Sequence, residues 1–183
     1  MEQEKLTLRK SCLKSRILVK NKKFKEKRII KNIECLINQN DLPISAYFPV
    51  KSEVNLLPLM KSFQKKERKI CLPIIITDNS YLLFREWKLN CKLVTEKYKI
   101  RVPINSNLLE PRILLIPLLG FDSERNRLGY GGGYFDRTIS FLEKKNKILK
   151  IGVAFDEQER KKIPTTKFDK KMDTIITQSR IIT

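Results

Sequence analysis

The feature that most constrains this chain is a cluster of glycines between Arg127 and Arg137, in the sequence RLGYGGGYFDR. Four of the six glycines in the chain stand here, at positions 129, 131, 132 and 133. They follow the apolar run ILLIPLLGF (113–121) and precede a segment with helical spacing of apolar residues. Because glycine loses more entropy on folding than other residues, the cluster indicates a sharp turn or a close approach to a ligand.

A glycine loop that opens onto a helix favours a phosphate group, because several N–H groups and the positive end of the helix dipole meet there. Arg127 and Arg137 flank the loop with cationic donors that suit phosphate oxygens. Asp136 supplies a carboxylate suited to the Mg²⁺ that accompanies a nucleotide. The spacing matches neither the P-loop, since no Gly-Lys-Ser/Thr follows, nor the dinucleotide-binding fingerprint. A tight turn with a close helix–strand contact is the alternative interpretation.

Composition excludes several kinds of chemistry. The chain has no histidine, which excludes Ser-His-Asp and Cys-His nucleophiles and imidazole metal sites. Its four cysteines are scattered without a C-x-x-C pair, so we expect free thiols in a reducing compartment and no zinc. The N-terminus is basic with no apolar signal segment, and no apolar run is long enough to span a bilayer. We therefore expect a cytoplasmic protein that does not bind membranes.

The formal net charge of +19 suits a polyanionic partner. The lysines are spread over the whole chain, which favours a solvated surface that also attracts polyanionic small molecules. A nucleic-acid-binding module is the competing interpretation. It predicts aromatic residues interleaved with lysine on an exposed sheet, whereas the apolar runs here are aliphatic. We expect no specific nucleic-acid partner.

Apolar periodicity predicts one domain, residues 1–183, with alternating helices and strands. Helices are predicted over 5–19, over 24–37, around Leu56 to Phe63, and directly after the glycines. In the first helix, Leu6, Leu13 and Ile17, with Leu8 and Cys12, mark the apolar faces. Residues 88–110 are predicted as a loop with a little structure of its own. Strands are predicted in ISAYFPV, KICLPIII, YLLFREW, ILLIPLL, ILKIGVAF and, last, DTIIT. Continuous apolar strands between helices predict a mostly parallel sheet covered on both faces.

Taken together, these segments resemble the 5-formyltetrahydrofolate cyclo-ligase family, also called 5,10-methenyltetrahydrofolate synthetases. KLTLR is similar to the family's N-terminal Lys-x-x-x-Arg helix, and YFPVKSEVN to its strand-turn segment with an acidic residue. IPLLGFD followed by RLGYGGGYFDR is similar to its most distinctive motif. IGVAFDEQ, then a proline, then MDTIIT follow in the order in which the family's segments occur. The resemblance covers nearly the whole chain and implies a three-layer α/β/α fold with a mostly parallel central sheet, NagB/RpiA-like and Rossmann-like.

The resemblance also implies a reaction, the conversion of 5-formyltetrahydrofolate to 5,10-methenyltetrahydrofolate with ATP and Mg²⁺. Phosphorylation of the formyl oxygen would create a leaving group, and attack by N10 of the folate would close the ring, with release of ADP and phosphate. Such catalysis depends on positioning and charge stabilisation, so it needs no histidine base. The expected partner is a small molecule, 5-formyltetrahydrofolate with or without a polyglutamate tail, and the expected state is a monomer.

Site residues follow from the resemblance, position by position. ATP contacts fall on Lys5, Arg9, Arg127, Leu128, Gly129, Tyr130, Gly131, Gly132, Gly133, Tyr134 and Phe135, with Arg127 and Tyr134 as catalytic residues. Substrate contacts fall on Phe48, Glu53, Tyr130, Gly131, Gly132, Gly133 and Tyr134. The resemblance assigns the binding of Mg²⁺ to Asp136 and Asp173, whose carboxylates are hard oxygen ligands suited to a hard cation.

Each assignment has a plainer structural alternative. Lys5 and Arg9 could be two solvated cations, Asp173 a strand-start or cap residue, and Glu53 an acid favoured at a helix N-terminus. Trp87 could stack on the pterin or lie in the core. Another nucleotide-dependent ligase or kinase could use the same glycine loop. Two positions depart from the family pattern: Phe168 stands where many members have histidine, and Val102-Pro103 stands where Glu-Pro is common.

Overall fold

Helices and strands alternate along most of the chain in the computed structural model, which describes residues 2–37, 42–96, 100–104 and 106–183. The helices in these residues are α1 (Glu2–Ile17), α2 (Lys22–Ile37), α3 (Leu57–Lys65) and α4 (Tyr134–Glu143). The strands are β1 (Ile44–Ser45), β2 (Ile70–Ile74), β3 (Leu83–Trp87), β4 (Leu93–Thr95), β5 (Arg101–Pro103), β6 (Ile113–Pro117), β7 (Gly120–Phe121), β8 (Arg127–Leu128), β9 (Leu149–Val153), β10 (Thr174–Ile176) and β11 (Ile181–Ile182).

Seven strands form a central sheet in the order β11-β10-β9-β6-β1-β2-β3. The five inner strands are parallel to their inner neighbours, and only β3 and β11, at the two edges, run antiparallel. Helix α3 connects β1 to β2, and α4 lies on the connection from β6 to β9. The predicted mostly parallel sheet is therefore confirmed, and its carboxyl ends meet at one edge, where α/β folds bind ligands.

Side chains that alternate along β6 separate two apolar cores. Ile113 and Leu115 are fully buried on the side of α2 and α3. Leu114 and Ile116 are buried on the opposite side, together with Ile139 of α4. Both faces of this strand are thus covered, which explains why its sequence is continuously apolar rather than alternating. The result is the three-layer arrangement that the sequence predicts.

Several short strands were not predicted by the periodicity. Strands β4 and β5 form an antiparallel hairpin inside the segment 88–110, which was predicted as a loop and of which residues 97–99 and 105 lie outside the described part. A second hairpin, β7 with β8, lies between β6 and the glycines, and β11 follows the strand predicted to be last. Strand β1 covers only the start of ISAYFPV. Strands of two or three residues depend on main-chain pairing, so they leave little apolar pattern to detect.

The apolar faces predicted for helix α1 are only partly buried. Cys12 is buried with Leu8 and Leu13 packed beside it, whereas Leu6 and Ile17 are exposed. The other buried residues of the helix, Lys5 and Arg16, are charged, and α1 packs against β7 and the 3₁₀ turn at 156–158. All four cysteines lie in the described part as free thiols. No described helix has the length and apolar composition needed to cross a membrane.

We expect Leu115→Ala to lower the free energy of unfolding by about 2–5 kcal/mol, because it removes a side chain that is 1% exposed from between two packed layers. Leu108→Ala is the matched control, since Leu108 is 61% exposed and its loss is expected to change stability by less than about 0.5 kcal/mol. Denaturant unfolding of both variants measures the difference. Equal effects would contradict the assignment of β6 to the core.

Candidate functional site

The four glycines shape a loop, residues 129–133, that joins β8 to the first turn of α4. Gly131 has a φ of 101° and Gly133 a φ of 65°, both in the left-handed region that favours glycine. Side chains at these positions would also collide with neighbours. A Cβ at Gly133 would lie 2.6 Å from Arg137 Nη1, and one at Gly131 would lie 3.2 Å from Arg9 Cζ. Positions 131 and 133 therefore favour glycine chiefly for their backbone conformation, since the atoms that a Cβ would meet are the ends of two flexible arginine side chains.

Two carbonyl oxygens of the glycine loop accept hydrogen bonds from arginine side chains, whereas several of its N–H groups have no acceptor among the described residues. Arg9 Nε donates a hydrogen bond to the Gly129 carbonyl at 3.1 Å, and Arg137 Nη2 donates one to the Gly132 carbonyl at 2.6 Å. Among the described residues, none accepts a hydrogen bond from the N–H groups of positions 130–133. Positions 130–132 are exposed. Unpaired donors at the positive end of a helix dipole form a site for an anion.

Arg127, two residues before the loop, forms a partly buried ion pair with Asp136. Its Nη2 donates to Asp136 Oδ1 at 2.6 Å, and the same oxygen accepts the Lys170 N–H at 2.9 Å. Burial lowers the pKa of Arg127, and the charges of Asp136 and Asp169 oppose that effect. The buried Arg127 Nε has no acceptor within the described ranges. The site thus contains a desolvated guanidinium with one donor still available.

Lys5 and Arg9 are both held against the site, which contradicts the alternative that they are solvated. Lys5 is 7% exposed, and its Nζ lies 2.7 Å from Asp169 Oδ2. That oxygen also accepts hydrogen bonds from the N–H and hydroxyl of Thr166. Although partial burial acts to raise it, the pKa of Asp169 is lowered by these contacts. Helix α1 thereby delivers Arg9 to the glycine loop and Lys5 to Asp169, the carboxylate whose charge acts on Arg127.

Arg16 is a functional candidate that sequence reasoning missed. It is 1% exposed, and each of its three nitrogens has a partner. Nε donates to Ser52 Oγ at 3.1 Å, Nη1 to the Leu118 carbonyl at 3.1 Å, and Nη2 to the Tyr130 hydroxyl. Its place on the α1 face that carries Lys5 and Arg9, seven residues beyond Arg9, is the signal that could have found it.

Glu53 is buried beside Arg16. Its Oε1 lies 3.9 Å from Arg16 Nη1, and its Oε2 accepts the Val50 N–H at 2.8 Å. Burial raises the pKa of Glu53, while the Val50 hydrogen bond and the positive charge of Arg16 oppose the rise. Helix α3 begins only at Leu57. Because these contacts are not with that helix, the alternative of a helix N-terminal acid has no support in the structure.

Aromatic residues line the region next to Glu53. The Tyr47 hydroxyl is buried without a hydrogen-bond partner in the described part of the chain, although it lies within electrostatic range of Glu53. Phe48 is half-buried and packs edge-on against Trp87, with ring centres 6.4 Å apart. Trp87 itself is 2% exposed within the core, which favours the core alternative over pterin stacking. Arg101 of β5 covers the other side of Phe48, 5.0 Å from the ring centre.

The two carboxylates predicted for Mg²⁺ lie in different surroundings. Asp136 stands in the first turn of α4 beside Arg127. Asp173 accepts the Lys150 N–H at 2.8 Å. It precedes β10 at the amino end of the parallel strands, away from the edge that carries the glycine loop. Asp169 is the carboxylate that the structure places near Asp136, since both act on Arg127.

The sequence did not single out Asp169 for the site, because nothing in the local pattern distinguishes it from the other acids. Phe168, at the departure from the family pattern, is 71% exposed.

Comparison with known proteins gives a consistent result. The model of the 5-formyltetrahydrofolate cyclo-ligase family matches residues 1–178. The chain is 31% identical over 132 residues to the 5-formyltetrahydrofolate cyclo-ligase of Haemophilus influenzae, covering 69% of this chain and 70% of that one. It is 31% identical over 137 residues to the enzyme of the same name from Mycoplasma genitalium, covering 73% and 70%. The NMR structure of Aquifex aeolicus 5,10-methenyltetrahydrofolate synthetase superposes with a TM-score of 0.81 at 28% identity, over 97% of this chain and 91% of that one. On the extent of the family match and on these relatives, the chain belongs to the 5-formyltetrahydrofolate cyclo-ligase family.

Proposed function

We propose that the chain performs the reaction of its family, the ATP-dependent cyclisation of 5-formyltetrahydrofolate to 5,10-methenyltetrahydrofolate, at the glycine loop. The observation that carries the residue assignment is the set of N–H groups at positions 130–133 that have no acceptor among the described residues, three of which belong to exposed residues. A ligand with a polyphosphate chain supplies the acceptors that these donors lack. Family membership favours this reaction over the nucleic-acid-binding module and over another nucleotide-dependent ligase or kinase.

ATP is proposed to lie with its phosphates over the glycine loop. Lys5 and Arg9 approach from α1 and bring positive charge to the edge of the loop. Leu128 and Phe135, at the two ends of the segment, pack into apolar clusters. Their side chains therefore act on the nucleotide by fixing the position of the loop.

Arg127 and Tyr134 are proposed as the catalytic residues. The γ-phosphoryl group passes from ATP to the formyl oxygen, and ADP leaves. The N10 lone pair then attacks the formyl carbon, the carbon–oxygen bond to phosphate breaks, and N10 loses its proton. The buried Arg127 guanidinium has a donor available to offset the charge on the moving phosphoryl group. The Tyr134 ring lies under Arg137 at 5.2 Å, next to the loop on which both substrates meet.

The residues around Arg127 fit a magnesium ion that arrives with ATP. Asp136 uses Oδ1 for its contacts, and Asp169 uses Oδ2. In the described residues the other oxygen of each carboxylate has no hydrogen-bond partner, which leaves two hard oxygen donors available to a cation. When bound, Mg²⁺ neutralises phosphate charge in the transfer step. The geometry favours Asp169 over Asp173 as the second ligand, because the oxygens of Asp173 are engaged by Lys150.

The folate is proposed to bind between the glycine loop and the segment after β1. Glu53, when ionised, accepts hydrogen bonds from the N–H groups of the pterin, and the half-buried Phe48 ring offers an apolar surface. Tyr130 to Tyr134 face both substrates, which places the formyl oxygen within reach of the phosphoryl group. The proposal includes a monomeric enzyme, since one chain supplies every group named. It also includes a cytoplasmic location and a folate with or without a polyglutamate tail.

The direct test is to mix the purified protein with ATP, Mg²⁺ and 5-formyltetrahydrofolate and to follow the near-ultraviolet absorbance of the methenyl product. We expect absorbance to rise only when all three are present. We also expect Arg127→Ala to abolish most of the turnover while the far-ultraviolet circular dichroism stays unchanged. Absence of product with the unmodified protein would contradict the proposed reaction.

Alanine substitutions in the glycine loop separate backbone shape from side-chain bulk. Gly131→Ala and Gly133→Ala force a side chain onto positive φ, which costs about 1–3 kcal/mol. We therefore expect the KM for ATP to rise about tenfold in each. Gly129→Ala is the matched comparison, because its Cβ would meet Arg127 Nη1 only at an ordinary 3.9 Å. Its effect should be the smallest of the three, and an equal or larger effect would show that backbone shape is not the cause.

Substitutions of the carboxylates test the magnesium ligands. We expect Asp136→Asn and Asp169→Asn each to raise the Mg²⁺ concentration for half-maximal activity about tenfold or more. Asp173→Asn should shift it much less, since that side chain pairs with Lys150 at the other edge of the sheet. Magnesium titrations at saturating ATP measure the three shifts. A larger shift for Asp173→Asn than for Asp169→Asn would overturn the assignment.

A further inference from the structure

The buried guanidinium of Arg16 joins the two halves of the site. One of its nitrogens binds Ser52, next to the proposed folate ligand Glu53, and another binds the hydroxyl of Tyr130 in the glycine loop. The third binds the carbonyl of Leu118, directly after β6. Three segments that are distant in sequence are thus held by a single side chain from α1.

Stability alone is a poor explanation for this arrangement. A buried charge is costly unless it is closely paired, and the Glu53 oxygen lies 3.9 Å from Arg16 Nη1, beyond hydrogen-bond distance. Two of the three close partners are neutral oxygens that belong to the segments proposed to bind substrate. Arg16 therefore contacts both the glycine loop, proposed to bind ATP, and the segment around Ser52, proposed to bind the folate.

We propose that Arg16 is a positioning residue that fixes the glycine loop against the segment 50–55, so that the formyl oxygen of the folate and the γ-phosphate of ATP meet at the correct distance. The inference rests on the proposed function. Arg16 is 1% exposed, so it acts through Tyr130 and Ser52 and does not touch the substrates. Tyr130 is 49% exposed, and its ring centre lies 5.6 Å from Arg16 Cζ. The buried guanidinium therefore fixes the position of a residue at the surface of the site.

Arg16→Lys is the first test variant, because it keeps the charge but replaces the planar fork with one ammonium group that cannot hold the three partners together. We expect kcat/KM for 5-formyltetrahydrofolate to fall about 10- to 100-fold through a misplaced reaction geometry, with kcat reduced as well as KM raised. Arg112→Lys is the matched control. That guanidinium also bridges two groups, the Lys147 carbonyl and Asn146 Oδ1, and it stands just before the amino end of β6. Its kinetics should match those of the unmodified protein.

Tyr130→Phe tests the same link from the loop and keeps the aromatic ring. It should also lower kcat/KM, and its effect should be much smaller in the Arg16→Lys background, because both changes break the link between Arg16 and Tyr130. Tyr130→Phe also removes a hydrogen bond between the hydroxyl and Glu53. Fully additive effects would mean that the hydroxyl acts independently of Arg16, through Glu53 or a ligand, and they would overturn the inference, as would kcat/KM within twofold of the unmodified protein in both single variants. If the unmodified protein makes no methenyl product, the proposed function has failed instead.

Discussion

The shape of the glycine loop depends on two arginines that bind its carbonyl oxygens. Arg9 reaches from α1 to Gly129, and Arg137 reaches from α4 to Gly132. With these carbonyls occupied, the peptide groups between them present their N–H groups to solvent rather than to the protein. The loop thereby becomes a surface of positive potential at the helix N-terminus, although both cationic and anionic side chains surround it. The site is thus built from main-chain dipoles whose direction is set by side chains.

The sheet and α1 contribute different parts of this site. The parallel strands gather their carboxyl ends at one edge, and the apolar layers on both faces keep that edge rigid. Helix α1 then brings three cations to the same edge along one face: Lys5 to Asp169, Arg9 to the glycine loop and Arg16 to the segment after β1. This explains why α1 buries charged residues while some of its leucine and isoleucine side chains remain exposed. The helix therefore combines polar contacts with the site and an apolar contact through Cys12, Leu8 and Leu13.

The parts of the fold that sequence could predict are those with strong local signals. The sharp turn at the glycines and the helix that starts after them depend only on neighbouring residues, and both predictions are confirmed. The buried strand β6 was also predicted, because its apolar run is continuous.

The missed features depend on contacts between distant segments. Asp169 gains its place from Lys5, and Arg16 gains its place from Tyr130 and Leu118, more than a hundred residues away in sequence. The β4–β5 hairpin is held by main-chain pairing that a periodic apolar pattern does not record.

The account depends most on the N–H groups at positions 130–133 binding the phosphates of ATP. A titration of the ¹⁵N-labelled protein with ATP and Mg²⁺, followed by two-dimensional amide NMR, observes those groups one by one. The predicted result is that the amide signals of Tyr130, Gly131, Gly132 and Gly133 undergo the largest shifts of the spectrum, with saturation at the concentration that saturates turnover. Binding of ATP with these four signals unmoved, and the large shifts elsewhere, would contradict the account.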